Sequence, residues 1–258
     1  MLYLCCLSLA FVVAFAAPPN DQIVAGSAAG LCEFPSIVHL EVFDADHKDT
    51  YGACGGTLID STHVVTAAHC IEGNVNKVVV NIGTNKQNIY GDQSTTAKSF
   101  LIHAEYGSTD YIVKNDIAIL TLATRIKPDN CVSFAPLAGA GESFDGARCI
   151  AAGWGDLGWK QNSPNDLQKV ALPAIPTETC KQNSKMVISK GVLCAGDFRS
   201  GGPSTCQGDS GGPLYCPSKK TGQMVLAGVT SFGNKCDKEI SAFSSVAYFR
   251  RWIDNNSR

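Results

Sequence analysis

The amino-acid sequence predicts an all-β fold, a sandwich or a barrel. Short runs of β-branched and other apolar residues recur along the 258-residue chain, and glycine and proline separate them repeatedly. No long segment with helical periodicity appears before the C-terminal end. The runs that predict strands are residues 36–43, 56–59, 63–67, 77–82, 117–122, 149–152, 167–172, 224–231 and 241–246.

The C-terminal segment predicts the one helix, over about 246–256. Val246, Phe249, Trp252 and Ile253 recur at helical spacing, which places them on one apolar face.

Composition limits the function classes. With 45% hydrophobic and 17% charged residues, the chain can build one large domain or two small ones. The formal net charge is −2 and no strong basic run is present, which argues against nucleic acid as a partner.

The N-terminal segment indicates export. Residues 1–16 are almost wholly apolar and end in Ala14-Phe-Ala16, which predicts a signal peptide, although no Lys or Arg precedes the apolar run. The segment is short for a membrane span, and no later run is long enough, so we expect a secreted protein without a membrane anchor. Two of the 12 cysteines, Cys5 and Cys6, lie in the signal; the other ten predict a complete set of disulfides.

Four motifs carry the chemistry. The segment 206–214, CQGDSGGPL, presents Ser210 between glycines, and TAAHC at 66–70 and NDIAIL at 115–120 supply His69 and Asp116. A histidine beside a cysteine is usually structural, and an aspartate before a strand often caps a turn. In combination, however, the three give the order His, Asp, Ser. Together with Ile23-Val-Ala-Gly26, these motifs resemble those of the trypsin/chymotrypsin family of secreted serine peptidases.

The resemblance implies two six-stranded antiparallel β-barrels, about 23–136 and 137–245, with the active site between them. It implies that Ser210 attacks the scissile carbonyl, that His69 takes and returns the proton, and that Asp116 orients His69. The N–H groups of Gly208 and Ser210 would form the oxyanion hole. A non-catalytic binding homologue is the competing class, but such proteins usually lose a member of this triad.

The resemblance also implies four disulfides, and elimination leaves Cys32 to pair with Cys131. The implied pairs are Cys54–Cys70, Cys149–Cys216, Cys180–Cys194 and Cys206–Cys236.

Activation follows the same resemblance. Cleavage before Ile23 would remove a propeptide of residues 17–22, and the new α-ammonium would pair with Asp209. Because Gln22 is neither Lys nor Arg, a peptidase without trypsin-like specificity must cut Gln22–Ile23.

Three positions predict the side chain accepted before the scissile bond (P1). Ser204 stands where trypsin-like members carry an aspartate, which argues against Lys or Arg because a buried cation needs a partner. Gly233 leaves the pocket open, and Ser241 stands where glycine is usual and should narrow it. We expect Leu, Phe, Tyr or Met at P1, and an elastase-like preference for small aliphatic residues is the alternative. If Asp237 or Glu239, in the loop 236–241, reached the pocket, its carboxylate would restore a preference for Lys or Arg.

The resemblance also implies that the substrate main chain pairs as an added β-strand with the segment Ser231-Phe232-Gly233, and that Ser231 forms a hydrogen bond with Asp116. No metal and no cofactor is implied, since 83–88 offers no carboxylate for calcium. The expected partners are protein or peptide substrates, protease inhibitors of protein nature and the activating peptidase, and the protein itself should be a monomer.

Overall fold

The computed structural model describes residues 26–46, 51–87, 89–198, 202–233, 236 and 239–258. Strands dominate these residues, which confirms the all-β prediction. The strands are β1 (Ser27–Ala28), β2 (Ile37–Asp44), β3 (Tyr51–Leu58), β4 (His63–Thr66), β5 (Val75–Ile82), β6 (Thr95–Ile102), β7 (Gly107–Ser108), β8 (Ile112–Lys114), β9 (Ala118–Leu122), β10 (Arg148–Gly153), β11 (Gln168–Ile175), β12 (Val187–Ile188), β13 (Val192–Ala195), β14 (Pro213–Pro217), β15 (Met224–Phe232) and β16 (Ser241–Ser245), and the helices are α1 (Thr177–Asn183) and α2 (Val246–Asn256).

The first barrel closes in the order β2-β3-β4-β9-β6-β5. Its β2 pairs with β3 on one side and with β5 on the other, so that His39 lies opposite Gly55 and Asn81. Apolar side chains such as Val38, Leu40 and Val80 are fully buried, because the interior of a six-stranded barrel is filled by its own side chains.

The second barrel forms from a sheet in the order β1-β11-β10-β14-β15-β16-β13. A further pairing between β11 and β13 closes six of these strands, and β1 adds to the outside of β11. Two closed six-stranded antiparallel barrels are therefore present, as the family resemblance implies. A small sheet, β12-β8-β7, joins a strand from each half of the chain.

The two barrels meet at a close backbone approach. A Cβ on Gly55 would lie 2.7 Å from the Cα of Gly212, so that only glycine fits at this position of β3. The N–H of Gly55 donates to the carbonyl oxygen of Ser210 at 2.7 Å. The serine loop of the second barrel is thus held against β3 of the first.

The C-terminal helix α2 agrees with the predicted range. The Ser245 hydroxyl caps it by accepting from the N–H of Tyr248, and Val246, Phe249 and Ile253 are buried. The seven-residue helix α1 was not predicted, because only Cys180 of its residues is buried and no apolar periodicity marks it.

Five disulfide bonds join the ten cysteines of the described region. The pairs are those named from the sequence: Cys32–Cys131, Cys54–Cys70, Cys149–Cys216, Cys180–Cys194 and Cys206–Cys236.

Candidate active site

His69 and Asp116 are brought together by two turns of the first barrel. His69 lies in a single 3-10 turn, Ala68–Cys70, directly after β4. Asn115, with φ of 52°, turns the chain just before Asp116. His69 Nδ1 lies 2.8 Å from Asp116 Oδ2, and the N–H of His69 donates to Oδ1 at 2.9 Å.

Asp116 is almost completely enclosed, at 1% exposure, and the second barrel supplies hydrogen-bond donors to it. The Ser231 hydroxyl donates to Oδ2 at 2.5 Å, and the Ser244 hydroxyl donates to the main-chain carbonyl of Asp116 at 2.6 Å. Burial raises the pKa of Asp116, but the hydrogen bond and charge of His69 and the hydrogen bond of Ser231 outweigh it, so the pKa is lowered overall. The carboxylate therefore stays ionised.

The contact with Asp116 also determines the pKa and the tautomer of the His69 imidazole. Burial lowers the pKa of its imidazole, but the hydrogen bond to Asp116 and the charges of Asp116 and Glu72 more than offset this, so the pKa is raised overall. In the neutral ring, a proton on Nδ1 that is donated to Asp116 leaves Nε2 as the basic nitrogen. Nε2 can then accept a proton from a nucleophile.

Among the described residues, the main-chain N–H groups of Gly208 and Ser210 have no hydrogen-bond partner. The N–H groups of Asp209, Gly211 and Gly212 donate to the carbonyls of Cys206, Thr230 and Asp209. The φ of 93° at Gly208 is open to glycine and strained for other residues, so the turn depends on it. Two free donors in one turn can stabilise an oxyanion.

The structure joins Ser210 to the His69 side of the cleft through Gly55 rather than directly. Gly55 donates to the Ser210 carbonyl, and its own carbonyl accepts from the Thr66 hydroxyl at 2.8 Å, three residues before His69. No hydrogen bond between the Ser210 hydroxyl and His69 is present within the described region. In enzymes without bound substrate, this contact is often long.

Asp209 is fully buried behind Ser210. Its two carboxylate oxygens accept from the N–H groups of Gly155 and Cys206, each at 2.9 Å. Burial raises its pKa to about 6, and these two hydrogen bonds offset only part of that effect. Ile23, its expected partner, lies outside the described residues, as do the signal segment 1–16 and the propeptide 17–22.

A cavity of about 260 Å³ opens beside Ser210, and we call it the catalytic cavity. Ser204 and Ser241 are not among its lining residues; both are buried, and the Ser241 hydroxyl accepts from the N–H and the hydroxyl of Thr205. Glu239 does line it, which the sequence left open, whereas Asp237 lies outside the described residues. The lining residues are Thr205, Cys206, Gln207, Gly208, Ser210, Thr230, Ser231, Phe232, Gly233, Cys236, Glu239 and Ile240.

In the described region, one group of side chains has the spacing of a metal site: Cys54, His69 and Cys70. Both cysteines belong to one disulfide, and His69 binds Asp116, so the group offers no thiolate. These residues therefore do not fit a resident metal ion.

Comparison with known proteins agrees with this architecture. The family described as Trypsin matches residues 23–253. The chain is 34% identical to "Trypsin, alkaline C" of Manduca sexta, with 99% of each chain covered. It is 33% identical to "Trypsin-3" of Salmo salar, over 95% of this chain and 98% of that protein. It is 31% identical to "Chymotrypsin-like elastase family member 1" of Canis lupus familiaris, over 92% of each.

These matches, the two barrels and the site define a serine endopeptidase, a hydrolase of peptide bonds. The chain belongs to the trypsin family.

Proposed function

We propose that Ser210, His69 and Asp116 are the catalytic triad of this endopeptidase. Ser210 Oγ attacks the scissile carbonyl carbon while His69 Nε2 takes its proton. The N–H groups of Gly208 and Ser210 bind the resulting oxyanion. When the C–N bond breaks, His69 returns the proton to the leaving amine, and an acyl-enzyme remains. Water then repeats these steps to release the acid. The observation that carries this proposal is the hydrogen bond from His69 Nδ1 to Asp116, which leaves Nε2 basic.

The same proposal covers the substrate. The catalytic cavity would receive Leu, Phe, Tyr or Met, because Ser204 replaces the aspartate of trypsin-like members and Gly233 leaves the cavity wall open. Glu239, the one charged residue among those that line the cavity, already forms an ion pair with Lys185. The segment Ser231-Phe232-Gly233 at the end of β15 would pair with the substrate main chain as an added strand. Small aliphatic residues are the alternative, since Ser241 adds volume next to Thr205.

We further propose that the enzyme is secreted as a precursor and activated by cleavage of Gln22–Ile23. An ammonium at Ile23 would supply the positive charge that the buried carboxylate of Asp209 needs. The pKa of Asp209, raised to about 6, supports this because it shows how unfavourable the ionised carboxylate is without such a partner. Five disulfides support an oxidising, extracellular location. No helix in the described part of the chain has the length and apolar content to cross a membrane.

The partners that follow from this proposal are protein or peptide substrates, inhibitors of protein nature and the activating peptidase. No nucleic acid, cofactor or second copy of the chain is needed for the mechanism.

The test is a cleavage profile of protein processed to begin at Ile23, on a mixed peptide library, beside a Ser210→Ala control. Cuts after Leu, Phe, Tyr or Met that vanish in the control support both the mechanism and the neutral pocket. Cuts after Ala or Val support the elastase-like alternative. Cuts after Lys or Arg contradict the proposed preference, and no cleavage by disulfide-complete protein would indicate a binding homologue.

A further inference from the structure

A second cavity adjoins the catalytic cavity and shares a wall with it. This outer cavity has a volume of about 310 Å³. The two cavities have four lining residues in common, namely Phe232, Gly233, Glu239 and Ile240. Phe232 and Gly233 are the strand proposed to bind substrate, and Glu239 is the one charged member of the shared wall.

Glu239 is held from the outer side of that wall. Lys185 lines the outer cavity but not the catalytic cavity, and its Nζ lies 2.9 Å from Glu239 Oε1. The Glu239 side chain is 22% exposed, whereas that of Lys185 is 77% exposed. Lys185 lies in the segment between α1 and β12, far along the chain from Glu239, so the fold rather than the local sequence brings them together.

We propose that Lys185 and Glu239 are a specificity-determining pair that keeps the P1 pocket electrically neutral. Lys185 binds the Glu239 carboxylate on the outer side and compensates its charge. A substrate Lys or Arg that enters the catalytic cavity must share a carboxylate whose charge Lys185 already compensates, and it also meets the repulsion of a second cation. Neutral side chains avoid both costs. This inference rests on the proposed function, because it takes the catalytic cavity as the P1 pocket.

The consequence is a latent basic specificity. Without Lys185, the partly buried Glu239 carboxylate would be free to form a charge-assisted hydrogen bond with a substrate cation. Because exposed ion pairs contribute little to folding, replacement of Lys185 should leave the fold intact. Specificity should therefore change while stability does not.

The experiment compares five processed enzymes: the unsubstituted enzyme, Lys185→Gln, Glu239→Gln, the double variant and Lys181→Gln. Lys181 is a matched control, since it forms a similar exposed pair with Glu178 at 2.8 Å on α1 and lines neither cavity. Active enzyme is counted by titration with a serine-directed reagent, so that any folding losses are removed. The readout is kcat/KM for matched short peptides with Lys, Arg, Leu or Phe before the cut.

We expect Lys185→Gln to raise the ratio of basic to apolar kcat/KM at least about tenfold, the usual effect of one charge-assisted hydrogen bond. The double variant and Lys181→Gln should keep the unsubstituted ratio. An unchanged ratio in Lys185→Gln, or an increase that persists in the double variant, overturns the inference.

The outcomes separate the inference from the proposed preference. The unsubstituted enzyme's own ratio tests the apolar preference, whereas the change caused by Lys185→Gln tests the ion pair. If the unsubstituted enzyme already cuts after Lys and Arg, the proposed apolar preference is contradicted. If its ratio of basic to apolar kcat/KM is also unchanged in Lys185→Gln, the inference about the ion pair is contradicted as well.

Discussion

The Ser231 hydroxyl donates a hydrogen bond to Asp116 Oδ2, the same oxygen that accepts from His69 Nδ1. Ser231 belongs to β15 of the second barrel, whereas Asp116 precedes β9 of the first. The carboxylate that orients the imidazole is therefore itself oriented by the opposite barrel. Ser244 of β16 adds a second link, but to the main-chain carbonyl of Asp116.

These two serines allow a matched comparison. We expect Ser231→Ala to lower kcat/KM about tenfold, because one hydrogen bond to the charged carboxylate is lost. Ser244→Ala should leave kcat/KM within about twofold, since it removes a neutral hydrogen bond outside the carboxylate, while each variant loses roughly 1 kcal/mol of folding free energy. Kinetics and urea unfolding of the serine-inhibited forms measure the two effects. Equal activity losses in both variants would show that Ser231 acts only through packing.

The raised pKa of His69 predicts a pH dependence. The imidazole must be neutral to accept the Ser210 proton, so activity falls as the pH drops through its pKa. Asp116→Asn removes the charge that raises this pKa, and the acid limb of the kcat/KM profile should move to lower pH. The maximal rate should fall about 10⁴-fold, because the amide also favours the wrong tautomer. Profiles from pH 5 to 9 decide this; an unmoved acid limb would mean that another group controls it.

The all-β class could be predicted because its signals are local, whereas the two barrels and the proposed triad followed from the family resemblance. Each of His69, Asp116 and Ser210 stands in a short motif whose residues also shape the turn that presents it. Three barrel strands, β6, β13 and β14, were not among the predicted runs, and neither were the two- and three-residue strands β1, β7, β8 and β12. Strand β6 is largely exposed and lacks regular alternation, β13 has only four residues, and β14 begins and ends with proline.

Contacts between distant segments could not be predicted in the same way. The pair Lys185–Glu239 and the Ser244 contact to Asp116 join residues whose sequence surroundings carry no signal of each other. Substrate contacts of Ser204 and Ser241 stay predictions: neither residue lines the catalytic cavity, whereas Thr205, which binds Ser241, does. Several small polar residues occur near this cavity, and side-chain packing decides which of them faces it. That packing cannot be predicted from the residue types alone.

Substitutions at Gly233 should narrow the proposed P1 pocket. A Cβ at this position would have Ile240 O as its neighbour, at 3.6 Å, which is ordinary contact, so an alanine fits without moving the backbone. Gly233→Val should lower kcat/KM for Phe or Tyr before the cut by about 100-fold and for Ala by only a few fold. Gly233→Ala should lie between. Initial rates on matched peptides measure this, and an equal loss on all substrates would place Gly233 outside the pocket wall.

The proposed cleavage of Gln22–Ile23 predicts that the stabilities of the precursor and of the processed enzyme depend differently on pH, because of Asp209. Burial raises the pKa of Asp209 from 3.8 to about 6, so the folded chain binds this proton more tightly than the unfolded chain does. Protonated Asp209 therefore stabilises the folded state fully below about pH 4. As the pH rises to about 6 this stabilisation is lost, and the free energy of unfolding falls by about 3 kcal/mol. In the processed form, an Ile23 ammonium would lower the pKa of Asp209 and remove that loss.

The stability advantage of the processed form should therefore grow between about pH 4 and pH 6. Urea unfolding of both forms, each carrying Ser210→Ala to prevent self-digestion, measures the difference at each pH. Apart from Asp209, the carboxylates that the two forms share should cancel in this difference, and the Asp209→Asn control contains any contribution of Asp21, which the cleavage removes. Asp209→Asn in both forms is the control and should flatten the difference, because the amide carries no charge to pair. Parallel stability curves for the two forms with Asp209 intact would show that no ammonium–carboxylate pair forms on processing.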